Sequence, residues 1–142
     1  MKYKKLGHCV YYAKYHLVMT TRYRRKVIKG GMGAYLQKCI LNVQRSYPEI
    51  EIIEVNTHED HMHVLVSVPP KMSVSKVVNL IKSNTGRAMR ERFTFLNKVY
   101  KHNPGIWSIG YFASTVGIDE AVIQKYIEHQ GREDSGQVEL EF

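Results

Sequence analysis

Cysteine is scarce in this 142-residue sequence, and no long uncharged apolar run is present. Cys9 and Cys39 are too few for a disulfide framework or a four-cysteine zinc site, and neither lies in a CxxC pair. No apolar stretch approaches the roughly 18 residues of a membrane span. Lys14 and His16 also interrupt the N-terminal region that a signal peptide would keep apolar. We therefore expect a soluble, cytoplasmic protein that does not enter the membrane.

Acidic residues are missing from residues 1–30, which contain nine lysines and arginines. Residues 71–101 contain eight basic residues against Glu91 alone, whereas the stretch 131–142 is acidic. The net charge of +8 is therefore concentrated outside the C-terminal stretch. A positive field of this size favours a polyanionic partner, and nucleic acid is the usual one. The alternative is a basic surface that is merely solvated.

Hydrophobic periodicity predicts the element order β-α-β-β-α-β followed by a final helix. The predicted strands cover residues 8–20, 51–57, 61–68 and 111–116, with a first helix between the glycines at 30–33 and Pro48, a second helix capped by Ser73 or Ser75, and a last helix at about 118–130. This order matches the split βαβ arrangement of the α+β class: a ferredoxin-like or RRM-like antiparallel sheet with two helices on one face. We expect the last helix to lie on the other face. We expect one domain over residues 1–130 and an acidic, mobile tail over 131–142, with Gly131 ending the last helix.

The segment HEDHMHVLV carries the first chemical signal. Side chains alternate along a strand, so His61 and His63 lie on one face about 6.6 Å apart, while the apolar Met62 and Val64 mark the core face. Two imidazoles at this separation on the open face can share a metal ion. The alternative is an ordinary surface or hydrogen-bonded histidine pair.

The segment YIEHQ places Tyr126 and Gln130 on one face of the last helix. If that helix crosses the open face, Gln130 can complete the metal site, with Glu59 and His129 as alternative ligands. A bound cation would polarise a phosphodiester, and a tyrosine could then form a covalent phosphotyrosine link. The alternative is a partly buried aromatic beside a polar residue.

At these residues the sequence resembles the single-tyrosine HUH transposases of insertion sequences that move as single-stranded DNA in bacteria and archaea. The resemblance covers, in order, YHLVMTTRYRRKVI, HEDHMHVLV, IWSIGYFASTVG and YIEHQ, which span nearly the whole chain. It implies a metal-dependent DNA endonuclease and strand transferase that forms a 5′-phosphotyrosine. It also implies that His61, His63 and Gln130 bind Mg²⁺ or Mn²⁺ and that Tyr126 is the nucleophile.

The same resemblance implies a homodimer that recognises hairpins at the element ends, with the tyrosine helix serving either its own or the other subunit's histidine face. We expect the basic faces to contact this DNA. The side chains assigned to it are Arg22, Arg24, Arg25, Lys76, Lys82, Arg87 and Arg90. Strand alternation would place His16 on the same face as the histidine pair, but we expect it to be a hydrogen-bonded strand residue. Trp107 is expected in the core or at the dimer interface.

Three other functions fit parts of this pattern. A domesticated or replication-initiator-like nickase would share the site and differ in its DNA target. A non-catalytic single-stranded nucleic-acid-binding module would place aromatic residues rather than paired histidines on the open face. A metal-dependent phosphodiesterase using water would leave no covalent protein–DNA product.

Overall fold

Six strands and four helices make up the computed structural model, which describes residues 3–115, 117 and 119–136. The strands are β1 (Lys4–Leu6), β2 (Cys9–Tyr11), β3 (Lys14–Thr20), β4 (Glu51–Thr57), β5 (His61–Ser67) and β6 (Phe112–Ser114). The helices are α1 (Met32–Ser46), α2 (Val74–Arg92), the short α3 (Leu96–Val99) and α4 (Glu120–Asp134), with a 3₁₀ turn at Arg22–Arg24. No helix in the described part of the chain is long and apolar enough to cross a membrane.

The main sheet is antiparallel, with the strand order β4-β5-β3-β6. Its two central strands pair over their full length, from Lys14 opposite Ser67 to Thr20 opposite His61. This order, with α1 between β3 and β4 and α2 between β5 and β6, is the split βαβ arrangement. The ferredoxin-like prediction is confirmed.

One face of the sheet packs against α1 and α2 to form the main core. Met62, Val64 and Val66 on β5 are fully buried there, together with Leu17 and Met19 on β3. Both helices present apolar stripes at helical spacing; α2 begins at Ser73, whose side chain accepts a hydrogen bond from the Lys76 N–H at 3.0 Å. Since burial of each large aliphatic side chain contributes about 1.5–3 kcal/mol, this alternation determines which face of β5 is left for the histidines.

The last helix covers part of the opposite face, as predicted. Ile123, Tyr126 and Ile127 of α4 form a second apolar cluster with Val18 of β3, and Phe112 packs against it. The side chain of Asp119 accepts hydrogen bonds from the N–H groups of Ala121 and Val122, which caps α4 at its N-terminus.

Four predicted boundaries were wrong. The strand predicted over residues 8–20 is divided into β2 and β3, because β2 pairs with β1 across a turn at Gly7 (φ 57°) instead of continuing the main sheet. A short helix, α3, lies between the second helix and the last strand, where no element was predicted, and β6 ends at Ser114.

The fourth difference is that α4 continues through Gly131 to Asp134, so the acidic stretch does not begin as a separate tail. A glycine inside a helix costs about 1 kcal/mol. Here the missing side chain allows Arg24 to pack against the helix: a Cβ on Gly131 would lie 3.3 Å from two carbons of the Arg24 side chain. The remaining tail residues, 137–142, lie outside the described residues.

Candidate functional site

The two histidines of β5 lie side by side on the open face, both partly buried. The Nδ1 atom of His61 is 2.8 Å from Oδ1 of Asp60, and the other carboxylate oxygen of Asp60 accepts a hydrogen bond from Nε of Arg24 at 3.2 Å. Burial alone would raise the pKa of Asp60, but the hydrogen bonds from His61 and Arg24 hold it below its ordinary value. The carboxylate therefore orients the His61 ring and leaves its Nε2 atom for another partner.

His63 contacts a third histidine on the neighbouring strand. Its Nε2 atom is 3.1 Å from Nδ1 of His16, and the two rings stack with centroids 5.2 Å apart. Burial lowers the pKa of His63, and the neighbouring His16 lowers it further. The prediction that His16 is a hydrogen-bonded strand residue is confirmed, and its partner is a candidate metal ligand.

A small cavity of about 230 Å³ opens at the histidine pair. Its lining comprises Asn56, His58, His61, His63, Glu120 and Ile123. The last two residues belong to the first turn of α4, so the N-terminal end of the tyrosine helix lies over the histidines.

Tyr126 and Gln130 form a second, separate pair on the buried face of α4. The Tyr126 hydroxyl donates to Oε1 of Gln130 at 3.3 Å, and both side chains are almost completely buried. Gly110 lies directly against them: a Cβ at this position would overlap Oε1 of Gln130 and lie 3.5 Å from the Tyr126 hydroxyl. Burial raises the pKa of Tyr126, and the nearby carboxylates of Asp134 and Glu133 raise it further.

The structure does not bring these two pairs together. Tyr126 packs on Phe112 of β6, with ring centroids 5.9 Å apart, whereas His63 belongs to β5 on the other side of β3. In the sheet register Val18 lies opposite both His63 and Phe112, so Phe112 and His63 are separated by two strand spacings, about 9.5 Å.

The predicted third ligand is also elsewhere. Gln130 bonds to Tyr126 and, through Nε2, to Oδ1 of Asp134 at 3.2 Å. Of the two alternatives, His129 lies 3.6 Å from Glu133 on α4, and Glu59 belongs to the turn before β5. Among the residues that the structure describes, no group of three His, Cys, Asp or Glu side chains is arranged to hold a metal ion. The donor types at His61 and His63 suit a divalent cation, but this arrangement supplies only two of the expected ligands.

Asp134, which was not predicted as a functional residue, holds the C-terminal end of α4 in place. Its carboxylate accepts hydrogen bonds from the Ser108 hydroxyl and from the backbone N–H of Tyr23, the latter at 2.9 Å, as well as from Gln130. Tyr23 and Arg24 both have positive φ angles, 61° and 54°, which non-glycine residues rarely adopt. Because Asp134 lies in an acidic stretch with no motif, only the fold could reveal this contact.

Several residues assigned to DNA make contacts within the chain. Nζ of Lys82 lies 2.7–3.0 Å from the carbonyl oxygens of Ser108, Ile109 and Gly110, and burial lowers its pKa to about 8. Arg90 donates to the carbonyls of residues 103 and 105 and to Asn97. Arg24, Arg25 and Arg87 also bond within the chain, to Asp60, to the Val99 carbonyl and to Asn84. Lys76 is exposed and Arg22 is half-buried. DNA contact by this set stays a prediction.

Trp107 is a core residue, which is one of the two positions predicted for it. Only 5% of its surface is exposed, and its indole N–H donates to the Thr85 hydroxyl at 2.9 Å.

The family profile described as "Transposase IS200 like" matches residues 9–130, which include both histidines and the tyrosine helix as far as Gln130. This chain belongs to the IS200-like transposase family. The profile therefore covers β2 to most of α4, and the predicted family is confirmed.

Individual members of the family align over most of the chain. The transposase for insertion sequence element IS200 from Salmonella typhimurium is 36% identical over 135 residues, which cover 92% of this chain and 85% of the relative. The ISDra2 transposase TnpA of Deinococcus radiodurans is 32% identical over 132 residues, with 92% of each chain covered.

Two solved structures share the fold. The crystal structure of a candidate transposase from Deinococcus radiodurans R1 superposes with a TM-score of 0.79 and 28% identity, covering 89% of this chain and 97% of its own. A REP-associated tyrosine transposase bound to a REP hairpin superposes with a TM-score of 0.53 and 17% identity, covering 94% of this chain and 76% of its own. The second similarity shows the fold alone.

Proposed function

We propose that this transposase is a metal-dependent single-strand DNA endonuclease and strand transferase that works through a 5′-phosphotyrosine. The observation that carries the proposal is the placement of two elements on one sheet face. His61 and His63 project from β5, and α4, which bears Tyr126, lies across the same face with its first turn over the histidines. Family membership supports transposition as the process that this site serves.

In this proposal His61 and His63 hold Mg²⁺ or Mn²⁺, and Gln130 supplies the third protein ligand. Asp60 supports the assignment because a carboxylate on Nδ1 fixes the imidazole tautomer that leaves Nε2 as a ligand atom. The bound cation would neutralise charge on the scissile phosphate and so make the phosphorus easier to attack.

Tyr126 is the proposed nucleophile. Its Oη atom forms a bond to phosphorus while the bond to the 3′ oxygen breaks; the tyrosine gives up one proton, and the leaving 3′ oxygen takes up one. The products are a 5′-phosphotyrosine and a free 3′-hydroxyl. In the joining step, a 3′-hydroxyl from another strand forms a bond to the same phosphorus while the bond from Oη of Tyr126 to phosphorus breaks. The hydroxyl gives up its proton, Oη takes one up, and the strands are joined without an external energy source.

This chemistry requires Tyr126 to leave the position described above. In that position the phenol is 5% exposed, donates to Gln130 and has a raised pKa, each of which disfavours attack. We therefore propose a homodimer in which α4 either moves toward its own histidines or serves those of the partner. The substrate is single-stranded DNA that carries hairpins at the ends of the element.

The first test is adduct formation. The protein is incubated with single-stranded DNA carrying the flanking element end, with Mg²⁺, with Mn²⁺ or with EDTA, and the products are resolved by denaturing electrophoresis and mass mapping. A cation-dependent adduct on Tyr126 is expected, and it should be absent in Tyr126→Phe and His61→Ala. Tyr12→Phe, an exposed tyrosine of the N-terminal region, is the matched control and should form the adduct normally.

The outcomes separate the remaining functions. DNA binding without an adduct under any cation would contradict the proposal and indicate a non-catalytic binder. Cleavage without an adduct, retained in Tyr126→Phe, would indicate a phosphodiesterase that uses water.

Mixing two inactive variants tests the arrangement of the dimer. If α4 serves the partner's histidines, a mixture of His61→Ala and Tyr126→Phe protomers restores cleavage, because one of the two sites then contains both intact groups. If α4 serves its own chain, the mixture stays inactive, since each site lacks one group.

A further inference from the structure

A larger cavity, of about 760 Å³, adjoins His61. Its lining residues include Arg24, Lys26, Lys29, Gly33, His58 and His61. Its volume falls within the range that binds small organic ligands, roughly 300–1,000 Å³. His61 and Asp60 are the lining residues that already have a role in the proposed catalysis.

The walls of the cavity are held by backbone contacts. The basic loop that follows β3 is joined to the turn between β4 and β5, because the N–H of Ile28 donates to the carbonyl of Glu59 at 3.0 Å and that of Thr21 donates to the carbonyl of Asp60 at 2.9 Å. On the opposite side, a Cβ on Gly33 would come within 2.7 Å of the Thr57 hydroxyl, so α1 can approach the end of β4 this closely only with glycine there.

The charge of the cavity favours an anion. Arg24 is paired with Asp60, but Lys26 and Lys29 project from the loop with exposed side chains, and Glu59 is the acidic residue that opposes them. Two lysines a few residues apart on an anchored loop suit consecutive phosphates of a polynucleotide.

His58 connects this cavity to the smaller one. Its ring stacks on the ring of His61, with centroids 4.3 Å apart and planes within 10°, and it lines both cavities. An exposed aromatic ring beside a basic groove is the arrangement by which proteins stack on unpaired bases.

We propose that this cavity, the lysine cavity, binds the single-stranded DNA on one side of the scissile phosphate. Lys26 and Lys29 contact backbone phosphates, and His58 stacks on a base as the strand passes from the lysine cavity to His61. This inference rests on the proposed function, since it takes the scissile phosphate to lie at the histidine pair.

Binding is measured without cleavage, using fluorescein-labelled single-stranded DNA of the element end in EDTA, with every variant in a Tyr126→Phe background. The double variant Lys26→Gln/Lys29→Gln should reduce the slope of log affinity against log salt by about 1.4, which is about 0.7 for each lost phosphate contact. The matched control is Lys38→Gln/Lys98→Gln, which removes the same charge from exposed positions elsewhere and should leave the slope nearly unchanged.

His58 is tested by a pair of substitutions. His58→Ala should weaken binding about tenfold through the loss of one stacked base, whereas His58→Phe should bind within about twofold of the parent. DNA shortened from either side of the cleavage site locates the contact. Removing nucleotides from one side should weaken DNA binding by the parent protein but have little further effect on DNA binding by the double lysine variant.

Failure of this inference can be distinguished from failure of the proposed function. If the unmodified chain forms the Tyr126 adduct but the lysine and His58 variants bind like their controls, the strand takes another path and the lysine-cavity assignment is wrong. The assignment is also wrong if each shortened DNA lowers the affinity of the parent protein and of the double lysine variant by the same factor. Absence of any adduct would instead overturn the function on which it rests.

Discussion

At the residue scale, the space beside Gly110 sets how closely α4 approaches the sheet. Tyr126 and Gln130 could be predicted as a pair from the sequence, because four-residue spacing alone places them together on a helix. The contact of Gly110 with this pair was not predicted, since no local pattern connects residue 110 to residues 126 and 130. The contacts of Lys82 were not predicted either, because the three carbonyl oxygens to which it donates are distant in sequence.

We expect Gly110→Ala to destabilise the protein by about 1–3 kcal/mol, because the added methyl group must displace Gln130 and Tyr126 from a closely packed position. The free energy of unfolding in urea measures this. Gly117→Ala is the control, as a Cβ there meets no atom within 4 Å. Equal stability of the two variants would show that α4 does not pack on Gly110 in solution.

Lys82→Met should lower the free energy of unfolding by about 1–3 kcal/mol. Methionine keeps much of the apolar side chain but leaves the carbonyls of Ser108, Ile109 and Gly110 without their shared donor. Urea unfolding measures this loss, and Lys76→Met, at an exposed lysine on the same helix, is the control variant. A loss no greater than that of the control would contradict it.

At the scale of elements, α4 is held at both ends by carboxylates. Asp119 caps its first turn, and Asp134 ties its last turn to Ser108 and Tyr23. Its start and its face toward the sheet were predictable, because an Asp cap and an apolar stripe are local signals. Its end was not, since Gly131 normally indicates a stop and only the contact with Arg24 accounts for its place inside the helix.

We expect Asp134→Ala to loosen the C-terminal half of α4 and expose Tyr126, because three hydrogen bonds to one carboxylate are lost. Amide hydrogen exchange of residues 126–134 should accelerate, and Tyr126 should become more reactive toward nitration. Glu128→Ala, on the exposed side of the same helix, should change neither. Unchanged exchange in Asp134→Ala would mean that the apolar cluster alone holds the helix.

At the scale of the whole molecule, two buried tyrosines make stability depend on alkaline pH. Burial raises the pKa of Tyr100 to about 12, and its hydroxyl donates to the carbonyl of Arg22 at 2.9 Å; the pKa of Tyr126 is raised as well. A phenol in the unfolded chain titrates near pH 10. The stabilisation from each tyrosine is therefore fully present below about pH 10 and is lost as pH rises toward the folded-state pKa.

The free energy of unfolding should consequently fall between pH 10 and 12, by up to about 1.4 kcal/mol per pH unit for each buried phenol. Tyr100→Phe should be less stable than the parent at pH 8, through its lost hydrogen bond, but should show a shallower decline above pH 10. Urea unfolding at a series of pH values, with Tyr12→Phe as an exposed control, tests this. Parallel declines in the parent and Tyr100→Phe would contradict the assignment.

The amino-acid sequence was enough to predict the order of the main-sheet strands and helices along the chain, the core face of β5 and the face that carries His61 and His63. These features follow from periodicity, because alternation in a strand and the 3.6-residue repeat in a helix assign faces without reference to the rest of the chain. Three other features could be seen only in the folded chain: Tyr126 packs on Phe112 of β6, Asp134 holds α4, and a basic cavity adjoins His61. Each depends on where distant segments meet, and that is fixed by the packing of the whole chain.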